Sequence, residues 1–422
     1  MSSFLSDTVF LLLLVVGIGF FNEKVTKLTS EIALMLIAAL LSMTLLSGDA
    51  LITSISFAQL IGSVHPINLQ SFLMDGVLCF MLFAGSCHMK LSDFKEQWRA
   101  VSVLSLLCTL LGAVFYGLAF YGLGVLCGLE VPLTVCLLFG SIISPTDPIA
   151  ATSILNKFGL PRRTGFLIEG ESLLNDGVGV AVFVCFSGLL GASQSEQGFF
   201  AVLLQQLLGA TVIGLLVSLP CFFIFHHTQD VKRRMFTSLL AVSLAYLLCQ
   251  RFDCSGAIAS VVCGLTYAAL RERWTPLESF EEAHDFDVTW EMVDNLLNSL
   301  LYVIMGLSMV TVLTQPQALL IAALAVICNF IGRAGSLGAC LPVMGPVPDN
   351  LGAGRFVALL TWGGLRGGLC IALAMSTREL LHNEELFGII MCGTYAAVFF
   401  TTVVQGLTMR RVYALLQVPE KI

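Results

Sequence analysis

The sequence predicts an all-α polytopic membrane protein of about 13 transmembrane helices, built as inverted repeats with two crossing broken helices at spans 5 and 12. Three observations carry this. The 422 residues are 57% hydrophobic and only 12% charged, with mean hydropathy +0.91, where soluble domains are about a quarter charged. The apolar runs extend over roughly 15–25 residues without strict alternation, and lipid admits only helices or closed barrels. The basic residues sort onto one side: seventeen of the 21 fall in one set of alternate segments, and only Arg251 and Arg378 in the other. A wrong number of spans would scramble that partition. Basic loops stay cytoplasmic, so the N-terminus is expected outside and the C-terminus inside.

The spans follow in order. Residues 5–21 read as a retained helix, because Met1 to Asp7 carries no basic residue and no small-residue cleavage site follows. Next come 32–46, which is short, and 69–88, with room for another short helix at 47–68. The run 100–126 is clean, whereas 131–155 is interrupted by prolines at 141–150. Then come 164–190, 199–226, 235–250, 255–270, 289–313 and 317–340. Span 353–376 is interrupted by glycines at 361–368, and 386–409 closes the series. The two interrupted spans are each fifth in a set of six (1–6 and 8–13). Their separation by seven inverts one set relative to the other, as in transporters built from inverted repeats.

Five ionisable residues lie inside these apolar stretches: Asp147, Glu171, Asp176, Arg333 and Arg366. A charge at bilayer depth costs at least roughly 2.5–3.5 kcal/mol, so such groups face one another or a wet cavity. In Ser144-Pro145-Thr146-Asp147-Pro148, two prolines unwind the helix and free carbonyl oxygens. The plain alternative is a proline kink capped by Asp147. In Glu171-Ser172-Leu173-Leu174-Asn175-Asp176, residues four apart share a stripe, so one helix offers two carboxylates, an amide and a hydroxyl on adjoining faces. These are hard oxygen ligands suited to an alkali cation. Burial favours the protonated carboxyl and a bound cation the ionised one, so such a site holds a proton or a cation but not both. The competing reading is a structural network with arginine. Arg333 and Arg366 keep their charge at any ordinary pH, and each requires a carboxylate or a set of carbonyls. Glu171 with Arg333 is the pairing that leaves Asp147 and Asp176 for ions. Arg366 sits among four glycines, where backbone can unwind and approach other helices.

Weaker signals are Asp75, Asp294, Asn298-Ser299 as an interhelical hydrogen-bonding pair, and His226-His227. The fourteen cysteines are scattered without a Cys-x-x-Cys and read as small buried thiols. The net charge of −7 gives no sign of nucleic-acid binding. No phosphate-binding loop and no cofactor motif is present, and no polar segment exceeds about 25 residues.

In order and spacing, Ser144-Pro145-Thr146-Asp147-Pro148, Glu171-Ser172-Leu173-Leu174-Asn175-Asp176, Asn298-Ser299, Arg333 and Gly364-Leu365-Arg366-Gly367-Gly368 resemble the first cation:proton antiporter family. Its members include NhaP-type sodium/proton antiporters and eukaryotic sodium/proton exchangers. The resemblance implies a homodimer in the bilayer, with interface helices in 1–99, core helices in 100–190, a linker helix and interface helices in 191–316, core helices in 317–414 and a cytoplasmic tail at 415–422. It implies a sodium site at Asp176, Asp147, Ser172 and Thr146, with Asn175 beside it and Glu171–Arg333 as a structural ion pair. It also implies electroneutral exchange of a cation for a proton, associated with Asn175-Asp176, and a transporter rather than an enzyme. Two departures stand out. Leu82-Phe83 is followed by Ala84 where many relatives carry Glu, unless Asp75 substitutes for it. The long tail of the eukaryotic exchangers is missing, which points to a bacterial inner membrane. Potassium/proton exchange is the runner-up; a cation channel and an intramembrane aspartyl protease are remote alternatives.

Overall fold

The computed structural model describes residues 2–49, 76–147, 161–190, 198–274, 280–309 and 317–416. Among them lie fourteen α-helices and no strand. In chain order these are α1 (Ser2–Phe21), α2 (Ser30–Asp49), α3 (Leu78–Cys87), α4 (91–126), α5 (Leu133–Ile143), α6 (Arg162–Gly188) and α7 (199–226). There follow α8 (Val231–Arg251), α9 (Gly256–Trp274), α10 (Phe280–Ser308), α11 (Ala318–Met344), α12 (Ala353–Gly363), α13 (Gly368–Leu381) and α14 (384–416). α4, α7 and α14 each widen into a π turn, at Val103–Cys108, Gln205–Gly209 and Phe400–Gln405.

Helix underlies each of the thirteen predicted spans, but helix is not yet a crossing. Among the described residues five helices are long and apolar enough to span a bilayer alone, and six if α12 and α13 count as one bent span. α3 and α5 are apolar but short. Asp75, the tract 47–68 beyond residue 49 and the second half of predicted span 5 lie outside the described residues.

Helix ends follow local chemistry. Asp230 starts α8 by accepting from the Lys232 N–H at 3.1 Å. Asn383 starts α14 by accepting from Glu385 and Leu386 N–H groups at 2.9 and 3.1 Å, with Glu384 and Glu385 in the first turn, where the helix dipole favours acids. α6 follows Pro161 and is held from two sides. Arg162 forks onto Asp93 of α4 at 2.8 Å, and Asp349, in left-handed geometry (φ 54°), accepts from the Thr164 N–H and hydroxyl at 3.0 and 2.5 Å.

Outward faces are apolar. α7 exposes Phe200, Leu204, Leu208, Val212, Leu216, Leu219 and Phe223, a stripe at helical spacing. Such a stripe suits lipid and would be an aggregation liability in water. Inside, an aromatic cluster of Phe83, Phe225, Tyr267, Phe286 and Trp290 joins α3, α7, α9 and α10, and the Trp290 indole N–H donates to Ser238 of α8 at 3.1 Å.

α4 and α5 touch backbone to backbone through glycines. A Cβ on Gly117 would lie 2.8 Å from the Cys136 carbonyl oxygen, and one on Gly140 would run into the Ala113 carbonyl. Backbone cannot rotate aside, and overpacking costs roughly 1–3 kcal/mol. Gly140→Ala is therefore expected to lower the melting temperature of the detergent-solubilised protein. Gly19→Ala, with nothing within 4 Å of the added methyl, is the control expected to leave it unchanged.

Candidate functional site

α5 stops where the sequence removes its means of continuing. Pro145 offers no N–H, and Ser144 turns its hydroxyl back to the Thr109 carbonyl of α4 at 2.5 Å. The chain then runs non-helical through Thr146 and Asp147. A second break separates α12 from α13, which bend by 61° across Gly364-Leu365-Arg366-Gly367. The two breaks meet. The Asp147 N–H donates to the Leu365 carbonyl at 2.8 Å. Gly367 is required at this contact, because a Cβ there would occupy the place of the Asp147 carboxylate.

Arg366 is buried and stitches the breaks together. Its Nη1 donates to the Ser144 and Pro145 carbonyls at 2.6 and 2.8 Å, and its Nε and Nη2 to Asn329 Oδ1 at 3.1 and 2.9 Å. Its own N–H and carbonyl are held by Thr401 and Thr402 of α14 at 3.0 and 3.2 Å. The unwinding of α5 thus frees the acceptors that this guanidinium needs.

α6 presents Asn175 and Ser172 to the first break. Asn175 grips Thr146 twice: Oδ1 accepts from the Thr146 N–H at 3.1 Å, and Nδ2 donates to the Thr146 hydroxyl at 2.7 Å. Ser172 and Thr146 hydroxyls share a hydrogen bond of 2.8 Å. One turn away, Glu171 binds Arg333 of α11 through both oxygens, at 2.5 and 2.9 Å, with both side chains buried. Arg333 Nε also reaches the Leu360 carbonyl of α12 at 3.3 Å.

A cavity of about 370 Å³ opens beside this arrangement. Asp147, Asp176 and Thr146 line it, with Leu173, Leu301 and Gly367, while Ser172, Asn175, Glu171 and Arg333 are not on its wall. Ala84 is on the wall, and so are the ionisable residues His88, Glu169, Glu291 and Asp294. Oxygen donors from α6 and from the break after α5 thus converge on one cavity at the contact of the two helix breaks, while each arginine is spoken for elsewhere. Among the described residues no group of three or more His, Cys, Asp or Glu side chains could hold a metal.

Residues 50–414 match the family model described as sodium/hydrogen exchanger, transmembrane. The chain belongs to this family. It is 32% identical over 409 residues to the Na(+)/H(+) antiporter NhaP of Pseudomonas aeruginosa, covering 93% of each chain. It is 27% identical over 402 residues to the Na(+)/H(+) antiporter NhaH of Halobacillus aidingensis, covering 92% of each. Its fold is that of the sodium proton antiporter MjNhaP1 from Methanocaldococcus jannaschii, with a TM-score of 0.78 at 20% identity over 98% of this chain and 99% of that one. The motif-based assignment to the first cation:proton antiporter family is thereby shown.

Two features of this exchanger-family site were not read from the sequence. Tyr302 of α10, buried, donates its phenol proton to Asp147; in an apolar run a lone tyrosine gives only a faint signal, its need for a hydroxyl partner. Asn329 stands one turn before Arg333 on the same stripe, yet serves Arg366 instead. The expected interhelical pair Asn298-Ser299 donates within α10, to the Asp294 and Asn295 carbonyls at 2.9 and 2.7 Å.

Proposed function

We propose that this chain exchanges sodium for protons by alternating access, with proton and cation competing at Asp176. The observation that carries the reading is the convergence of Asp147 and Asp176 on one cavity at the contact of two broken helices. The relatives, Na(+)/H(+) antiporters matched over nearly their full length, support sodium as the cargo. Asp176 and Asp147 supply carboxylate oxygens, Ser172 a hydroxyl and Thr146 its backbone and hydroxyl, with Asn175 fixing Thr146. Glu171–Arg333 and Arg366 are structural.

Coupling follows from exclusion. A cation on Asp176 displaces the proton, and a proton displaces the cation. A core that carried neither would take an unpaired charge through a dry barrier, so it rarely moves. One proton for one sodium moves no net charge. In this reading the chain crosses the inner membrane of a bacterium thirteen times, N-terminus outside and C-terminus in the cytoplasm. Residues 100–190 and 317–414 form the moving core, while 1–99 and 191–316 form the linker and the homodimer interface. Potassium/proton exchange by the same residues is the second reading; Ala84 on the cavity wall offers no carboxylate to set the cation's identity.

The test is collapse of a preset pH gradient in proteoliposomes on addition of sodium, lithium or potassium. Sodium- or lithium-driven collapse, insensitive to a clamped membrane voltage, is the expected result. Collapse with potassium alone selects the second reading, and collapse with none of the three sinks both.

A further inference from the structure

The exchange scheme makes no use of Tyr302, yet its hydroxyl holds Oδ2 of Asp147. The ring is fully buried. Its helix, α10, is not one of the broken pair and is anchored elsewhere. Gly306 lies so close to α2 that an added Cβ would stand 2.5 Å from the Met35 carbonyl oxygen, and Ser42 of α2 donates to the Leu307 carbonyl at 2.8 Å. Toward the breaks, α10 presents Leu301, whose side chain would lie 2.5 Å from a Cβ on Gly368, and beside it Tyr302. Leu301 and Asp294 of the same helix line the cavity together with the two aspartates. The Tyr302–Asp147 bond therefore runs from a helix fastened to α2 onto the break that carries a cation ligand.

A phenol suits that position. It is a neutral donor, so it orients a carboxylate and strengthens against its charge without cancelling it, as Arg or Lys would. Its ring packs as an apolar body in the same place. Phenylalanine would fill nearly the same volume and withdraw only the donor.

We propose that Tyr302 is a positioning residue for the cation site, its hydroxyl holding the Asp147 carboxylate in the orientation that receives the cation. This rests on the antiport reading above. The bond exists while the break of α5 faces α10, and any displacement of that break along α10 must sever it. Tyr302 thus favours cation capture in the state seen here and adds to the barrier for leaving it. Removing the hydroxyl weakens capture without slowing the moving step. If the residue only filled space, removing the hydroxyl would leave cation affinity alone.

The experiment compares wild type with Tyr302→Phe in two assays: sodium dependence of pH-gradient collapse in proteoliposomes, and the sodium concentration at which the melting temperature of detergent-solubilised protein rises. The expected result is a KM for sodium raised about tenfold, the factor at the lower end for a hydrogen bond to a charged group. kcat is expected to equal or exceed that of wild type, and the thermal-shift midpoint to move by the same factor. A KM and a midpoint both within about twofold of wild type, set against that tenfold, would overturn the assignment, as would a loss of kcat at unchanged KM. If wild type shows the sodium-dependent thermal shift without gradient collapse, the antiport reading fails, and a tenfold shift of the midpoint in Tyr302→Phe still upholds the role of Tyr302. Absence of both responses in wild type overturns both.

Discussion

Arg333→Ala is expected to remove most of the folded protein. The guanidinium binds both oxygens of Glu171 at 2.5 and 2.9 Å, and both partners are buried. It also holds the Leu360 carbonyl, so one side chain ties α6, α11 and α12 together. Without it, Glu171 is left as an uncompensated charge in a dry interior, which costs roughly 3–5 kcal/mol. Folded proteins hold margins of about 5–15 kcal/mol in all. The measurement is the monodisperse fraction on size-exclusion chromatography after extraction, expected to drop severalfold. The pair itself is worth far less than its breakage, because both ions were desolvated to form it. Glu171→Leu combined with Arg333→Met, which leaves no charge behind, should therefore recover much of the yield. A single variant with normal yield but no transport would instead make Arg333 part of the exchange chemistry.

The membrane class and the site region were legible because violations of apolarity are costly and therefore few. Asp147, Glu171, Asp176, Arg333 and Arg366 stand out in their runs, and the prolines and glycines beside two of them mark the breaks. Partner choice was only partly legible. Glu171 with Arg333 was a pairing by elimination, since sequence spacing puts side chains on a stripe but does not say which neighbouring helix that stripe faces. The partners of Arg366 are two backbone carbonyls and Asn329 Oδ1, and backbone acceptors have no residue signature. Tyr302 is hidden for a related reason: its ring obeys the apolar pattern and only its hydroxyl departs from it. Boundaries shifted where a helix continues into polar sequence. α4 begins at Leu91 rather than 100, because Ser92 to Arg99 carry it beyond the apolar run and place Asp93 against Arg162. The π turns could not be read at all, as one extra residue in a turn leaves composition unchanged.

Asp176→Asn is expected to reduce cation-driven gradient collapse to the leak of empty vesicles while leaving the fold intact. Asparagine nearly matches aspartate in shape, so Leu173, Thr146 and the cavity wall need not shift. It can neither release a proton nor offer a negative charge to a cation, and the competition proposed for exchange is gone. Unlike Arg333→Ala, this change takes a charge out of a buried site rather than stranding one there. Its melting temperature is therefore expected to equal or exceed that of wild type, and that contrast separates the two roles. Of the two arginines, one binds Glu171 and the other binds carbonyls, and in the proposed reading both serve to build the site. Asp176 faces the cavity that they leave open. Exchange that survived in Asp176→Asn but disappeared in Asp147→Asn would move the carried proton onto the helix break itself. Tyr302, its hydrogen-bond donor there, would then modulate proton binding directly.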